Sequence, residues 1–391
     1  MRREPNQTER GPSDRLRVGL LLIGLAVLPI RDLLATAAQW VSNGPPGPVN
    51  CLAIDPNNSA LIYAGTEGAG VYKSFNGGAG WHASNIGMIK STVLSLAIDP
   101  QNPTILYAGI KESGVYKSLD SGASWIPSND GLINLSVQAL AIDPQNPKTL
   151  YAGVTDGSGG VYKSTDAGAS WNSSAQSVGS VTSLAIDPQK PATLYAGIPG
   201  GAGIIKTTNG GLDWSNIHGG LGFGIGYTWV EVDPQNPSII YAGAGKGVDK
   251  STNGGVSWSS LNNGLTAGVQ TLAIDPHNSA TLYAGTFAWG VFKSTDSGAS
   301  WRTSGSAMAN LFIGSLAIDP QNPAMLYAGT GGGVFKSVDG STSWVESSNG
   351  LTNSFAGSLA MDPNNPATIY AATQGGGVYK STDGGGQLEI E

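Results

Sequence analysis

Four carboxylates fall where an otherwise regular chain breaks its own pattern: Glu67, Glu112, Asp156 and Glu231. Glycoside hydrolysis needs two facing carboxyl groups, one as acid and the other as base or nucleophile, and any two of these could supply them. Other chemistries are harder to assemble. The three histidines are His82, His218 and His277, and the last follows an Asp-Pro pair, so no Ser-His-Asp set is credible. Cys51 is the only cysteine, which excludes an internal disulfide, a Cys-based metal site and a redox pair. No cofactor and no metal are expected.

Glu231 is the most distinctive of the four. Trp229 precedes it by two residues, which puts both side chains on one side of an extended strand. A carboxylate there must find a partner or open onto water. On a structural reading Trp229 fills space beside the glycine-rich approach from Gly219 to Gly226, and Glu231 pairs with a lysine. On a functional reading the carboxylate faces a channel, with Trp229, Tyr227 or Phe223 as a stacking surface. Phe287 and Trp289, with Phe312 and Phe355, are further aromatics outside the regular pattern. Such side chains suit stacking on sugar rings or contact with a protein, although they can also simply plug a funnel.

The pattern that these residues interrupt is an internal repeat. Asp-Pro closes an apolar run at Asp55, Asp99, Asp143, Asp187, Asp233, Asp275, Asp319 and Asp362. Each copy continues with a segment like Leu106-Tyr107-Ala108-Gly109, one like Gly114-Val115-Tyr116-Lys117-Ser118, and a Ser/Thr-x-Asp/Asn-x-Gly-x-x-Trp turn. Four short strands per repeat at this period predict one propeller blade. The fold class is therefore all-β, a single β-propeller over residues 38–391, with eight four-stranded blades favoured and seven as the alternative. The 58 glycines belong to its turns, and 40% apolar residues with ten tryptophans supply its core.

The last turn resembles the Asp box, or BNR repeat, of sialidases, sortilin-type receptors, xyloglucanases and photosystem II assembly factors. The fullest copies run from Ser118 to Trp125, Ser164 to Trp171 and Ser294 to Trp301, with Asp120, Asp166 and Asp296 as the acids. Asn76, Asn209 and Asn253 replace the acid elsewhere, Ser341 replaces the glycine, and Leu388 stands where the last tryptophan would be. A short acid or amide can hold its own turn through backbone amides, while the tryptophan packs inward, so the box marks fold rather than activity. The Asp-Pro turns read the same way, as structure and not as calcium sites.

Ring closure is open at this stage. Trp40 has the blade spacing but no box before it, and the last repeat shows three clear strands followed by Gln387 to Glu391. Pairing the Trp40 segment into the last blade leaves no open edge; the competitor is that Leu388 to Glu391 forms that strand. Within a propeller the Asp-Pro turns and boxes share one face. The loops between second and third strands share the other, which places Glu67, Glu112, Phe287 and Trp289 together there.

Residues 1–37 hold six of the seven arginines, an apolar run from Val18 to Ile30 and the triplet Ala35-Thr36-Ala37, the pattern of a signal peptide, with an uncleaved anchor as the alternative. The expected location is secreted or periplasmic, with membrane contact only through an uncleaved N-terminal segment. From Ala38 on, 14 basic residues face 23 acidic ones, a formal charge of −9, which argues against a nucleic-acid partner.

A sialidase is excluded by the resemblance itself. That family grips the substrate carboxylate with three arginines, and beyond residue 37 the chain has only Arg302. The arginine-rich patch of the photosystem II factors is missing too. The functional expectation is an exported, non-catalytic scaffold that binds a protein partner or a glycan through its loop face. The alternative is a glycosidase of the Asp-box propeller type using a carboxylate pair.

Overall fold

The computed structural model describes residues 41–42 and 48–384, apart from 59, 77–79, 90, 156, 158, 200–202, 218–228, 245–246, 309–310, 332, 348–354, 363 and 374–376. Every repeat forms one antiparallel four-stranded sheet, and there are eight of them. Blade two shows the rule, with strands at Val93–Ile98, Leu106–Ile110, Gly114–Ser118 and Ile126–Pro127 in that order from the inside outward. All five residues of Leu106–Ile110 are buried, because neighbouring blades cover both faces of this second strand. Such a strand reads as a continuous apolar run instead of an alternating one. The outermost strand has only two residues, both exposed, so the blade presents a very short edge.

The core is divided into eight layers, one in each seam between blades. Tyr63 and Val71 of blade one pack against Val93, Leu106, Tyr116 and Trp125 of blade two. The last seam joins Val49 and Ile62 of blade one to Tyr370 and Val378 of blade eight. Innermost strands contact their neighbours all the way round, including Val49–Ile54 against Ala356–Met361, so eight blades close one ring.

Closure uses the N-terminal segment. Val41 and Ser42 pair antiparallel with Lys380 and Tyr379, which supplies the fourth strand of blade eight ahead of any C-terminal candidate. Both Trp40 and Leu388 to Glu391 lie outside the described residues.

Among the described residues, the box turns of blades two, three and six are junctions between blades. Asp120 accepts from the amide of Ser124 at 2.9 Å and from its hydroxyl at 2.6 Å, while the Ser118 hydroxyl donates to Asp120 and accepts from the Gly122 amide, each at 2.8 Å. Asp166 and Asp296 repeat this geometry with Ser170 and Ser300. The turn needs two successive left-handed residues, Ser121 at φ 56° and Gly122 at φ 80°. In blades two, three and six the first of these is Ser121, Ala167 or Ser297 rather than glycine, and there it carries strain that the surroundings must hold.

Those surroundings come from the preceding blade. Tyr63 Oη donates to the Ser121 carbonyl at 3.0 Å, Lys73 Nζ donates to the same oxygen, and the Ser84 hydroxyl donates to the Gly122 carbonyl. The box tryptophan answers in the other direction: Trp125 Nε1 donates to Ser84 O, and Trp171 Nε1 to Ser128 O, both at 2.7 Å. Trp301 does the same to Leu261 O. Burying one such indole contributes roughly 4 to 6 kcal/mol as an upper bound, from 150 to 250 Å² at about 25 cal/mol per Å².

Candidate functional site

The loop face gathers side chains from loops that the ring holds in place. In blade six, Val269–Ile274, Leu282–Thr286, Val291–Ser294 and Arg302–Thr303 are the strands, and the loop after Thr286 carries Phe287 and Trp289. This loop is short and tied at both ends. Buried Thr286 donates through its hydroxyl to Gly290 O at 2.8 Å and accepts from the Trp289 amide at 3.0 Å, while the Phe287 amide reaches Gly268 O at 3.1 Å. The two aromatic side chains are left 63% and 56% exposed, in a frame with little freedom to bury them.

Phe287 does not stand alone. Its ring meets Phe312 edge-on, with centroids 5.4 Å apart, and Phe312 meets Phe355 at 5.3 Å. Phe312 and Phe355 immediately precede the innermost strands of blades seven and eight, Ile313–Ile318 and Ala356–Met361, where blade one has Pro48 and blade two has Thr92. The second residue of these two strands is glycine. A Cβ at Gly314 would meet Phe312 Cε1 at 3.2 Å, so these glycines leave room for the aromatic row. Sequence reading found the phenylalanines but missed the paired glycines, whose signal was available: the corresponding residues are Asn50, Leu94, Gln138 and Gln270.

Going on round the ring, blades one and two present Glu67 and Glu112 on the equivalent loops, both exposed. Their backbones are pinned too, Glu67 N to Pro48 O at 2.9 Å and Glu112 N to the Ser136 hydroxyl at 3.0 Å. Lys111 lies beside Glu112, and its amide bonds Thr92 O. Blades six, seven, eight, one and two therefore form one arc that is aromatic at its start and charged at its end.

Trp229 and Glu231 are elsewhere. They belong to Trp229–Val232, the innermost strand of blade five, whose sheet continues with Ile240–Ala244, Gly247–Ser251 and Ser259–Ser260. Trp229 is half-buried in the seam with blade six, against the cluster of Tyr241, Val248, Leu272 and Phe292, and its Nε1 donates to Val269 O at 3.3 Å. A Cβ on Gly243 would overlap the indole, so the glycine of that "YAG" segment is what admits a tryptophan here.

Glu231 points into a recess of about 410 Å³ at the Asp-Pro end of the channel, walled by Pro234, Pro276 and Pro320 with Leu272, Ile274 and Ile318. The side chain is solvent-exposed, while the apolar walls beside it partly desolvate the carboxylate and push it up to about 7. No lysine pairs with it among the described residues, and no second carboxylate lines the recess. Tyr227, Phe223 and Asp156 fall outside the described residues.

Another departure in blade five escaped the sequence reading. Asp249 is buried where blades one to three have Tyr72, Tyr116 and Tyr162 and blade six has Phe292. Its signal is the change from "GVYKS" to "GVDKS".

No protein-family model matches the chain, and no curated protein sequence does. Solved structures share the fold. The GH74 xyloglucanase from Xanthomonas campestris superposes with a TM-score of 0.57 at 20% identity, over 88% of this chain and 54% of that one, so the chain spans about half the enzyme's length. YCF48 bound to D1 peptide gives 0.55 at 15% identity, over 74% of this chain and 93% of that one. The C-terminal WD40 domain of Sif2 gives 0.64 at 9% identity, over 88% and 98%. These are similarities of fold, and the chain is a β-propeller.

Proposed function

We propose that the protein is an exported, non-catalytic propeller of the Asp-box type that binds a protein partner or a glycan through its loop face. The observation that carries this reading is the aromatic row of exposed Phe287 with half-buried Phe312 and Phe355, beside exposed Trp289 on the same pinned loop as Phe287. Large exposed aromatics held at low entropic cost are the usual anchors of recognition surfaces. The charged stretch at Glu67, Lys111 and Glu112 gives the same arc a polar end. YCF48, a propeller of similar fold, holds a peptide.

Arrays of glycans and of peptides, probed with the wild-type protein and with Trp289→Ala and Phe312→Ala, test the reading. At least one ligand should bind the wild type and be lost from both variants at unchanged melting temperature. Binding that survives both substitutions, or no ligand on either array, overturns it.

The glycosidase alternative draws support from the fold shared with GH74 enzymes. It needs two facing carboxylates, and Glu231 is solitary in its recess among the described residues. Release of reducing ends from xyloglucan would establish it in place of the scaffold reading. Export rests on the basic and apolar N-terminal pattern, and the mature protein should begin at Ala38 by intact mass; full-length chain in the membrane fraction would refute cleavage.

A further inference from the structure

Glu231 stands where the other seven blades have Ala53, Ala97, Ala141, Ala185, Ala273, Ala317 and Ala360. Seven alanines show that the ring closes without any acid at this level, so the carboxylate is not a requirement of the fold. The recess around it belongs to the opposite face from the aromatic row. Its remaining lining is aliphatic or proline, and no described residue donates a hydrogen bond to the carboxylate or forms an ion pair with it. The side chain is solvent-exposed, so water serves the carboxylate in the free protein, and the group that would complement both the charge and the apolar walls is a cation with an apolar tail.

We propose that the Glu231 recess is a binding site for a primary ammonium group carried on a short aliphatic chain. Pro234, Pro276 and Pro320 with Ile274 and Ile318 would line the chain, and the carboxylate would accept from the ammonium. The surrounding charge agrees. Asp233, Asp275 and Asp319 lie buried at the ends of the three lining strands, each holding backbone amides of its own turn, as Asp233 does those of Gln235 and Asn236. Exposed His277, next to Pro276, is the only nearby titratable base on these turns. The net charge of −9 beyond residue 37 favours a cation further.

Free alkylamines and lysine side chains share this chemistry, and separate titrations distinguish them. The full chain is titrated calorimetrically at pH 8 with n-pentylamine, with a blocked Gly-Lys-Gly peptide, and with n-pentanol as the neutral control. Saturable binding of the amine alone assigns a free alkylamine, and binding of the peptide assigns a chain-borne lysine. In either case Glu231→Gln should weaken binding about tenfold or more, the loss of a hydrogen bond to a charged group. Glu231→Ala, which restores the residue of the other blades, should weaken it as much while keeping the wild-type circular dichroism. Wild-type affinity should fall as pH drops below 7, because the ligand needs the ionised carboxylate while the amine stays charged throughout. No binding of either probe, equal binding of n-pentanol, or binding unchanged in both variants overturns the proposal.

Discussion

Lys117 Nζ donates to the carbonyl of Ala167 at 2.7 Å, fifty residues along the chain and one blade further round the ring. Tyr107 Oη donates to the same oxygen at 2.9 Å, and the ammonium lies 5.5 Å from the Tyr107 ring centroid. Ala167 is left-handed at φ 59°, so the two donors hold a strained turn from outside its own blade. Lys163 and Tyr151 hold Gly210 in the same way, so the clamp recurs with the repeat.

Removing either donor should loosen one seam. Lys117→Met is expected to cost roughly 1.5 kcal/mol, the low end for a hydrogen bond from a charged group because the ammonium is only partly buried, and Tyr107→Phe about 1 kcal/mol. Because both serve one oxygen, the double variant should depart from additivity in urea denaturation. Three midpoints equal to wild type would show that the clamp contributes nothing.

Strong acid should draw stability from the boxes. Hydrogen bonds from the Ser124 hydroxyl and amide hold Asp120 down at about 2, and Asp166, Asp296 and Asp339 are held at about 2 in the same way. A depressed folded-state pKa contributes stability that is complete above the ordinary carboxylate value and lost as pH falls through about 2. Asn253 already serves one box, accepting from the Ser257 amide at 2.9 Å and donating to its hydroxyl at 2.8 Å. The fourfold Asp→Asn variant at these positions should therefore fold, and its melting temperature should fall less between pH 4 and pH 2 than that of the wild type. Parallel curves would remove the boxes from the acid response.

Blade number, strand order and the two faces were legible because each repeat carries its own punctuation, Asp-Pro at the end of the inner strand and the box before the outer one. What connects the blades was not. The partner of Trp125 is Ser84, 41 residues earlier, and nothing in the spacing of a motif says which carbonyl an indole will find. The candidate site was half legible for a related reason. Phe287 and Phe312 stand out as exceptions to a repeat, but their contact crosses from blade six to blade seven, and Trp229 and Glu231, neighbours in sequence, serve a seam and a recess.

Ring closure predicts an unequal response to trimming the two ends. Val41 and Ser42 complete blade eight, so deleting residues 38–44 should expose the edge of Gly377–Ser381 and lower the melting temperature by several degrees. Deleting residues 387–391 should change it little. A larger loss from the second deletion would assign closure to the C-terminal segment.

The Glu231 carboxylate should cost the unliganded protein stability, and only at one end of the pH range. Its pKa rises from an ordinary 4.5 to about 7 on folding because the recess desolvates the charge. Between these values the folded protein binds more protons than the unfolded chain, so this group makes stability fall as pH rises through that window. Below pH 4.5 the carboxyl is neutral in both states and the cost is absent; above pH 7 it is complete. Glu231→Gln keeps the shape and removes the charge. The variant should therefore melt at the wild-type temperature at pH 4 and above it at pH 8, with the gap opening between pH 5 and 7. Equal melting temperatures at pH 8 would mean that channel water solvates the carboxylate fully and that the recess imposes no penalty on it.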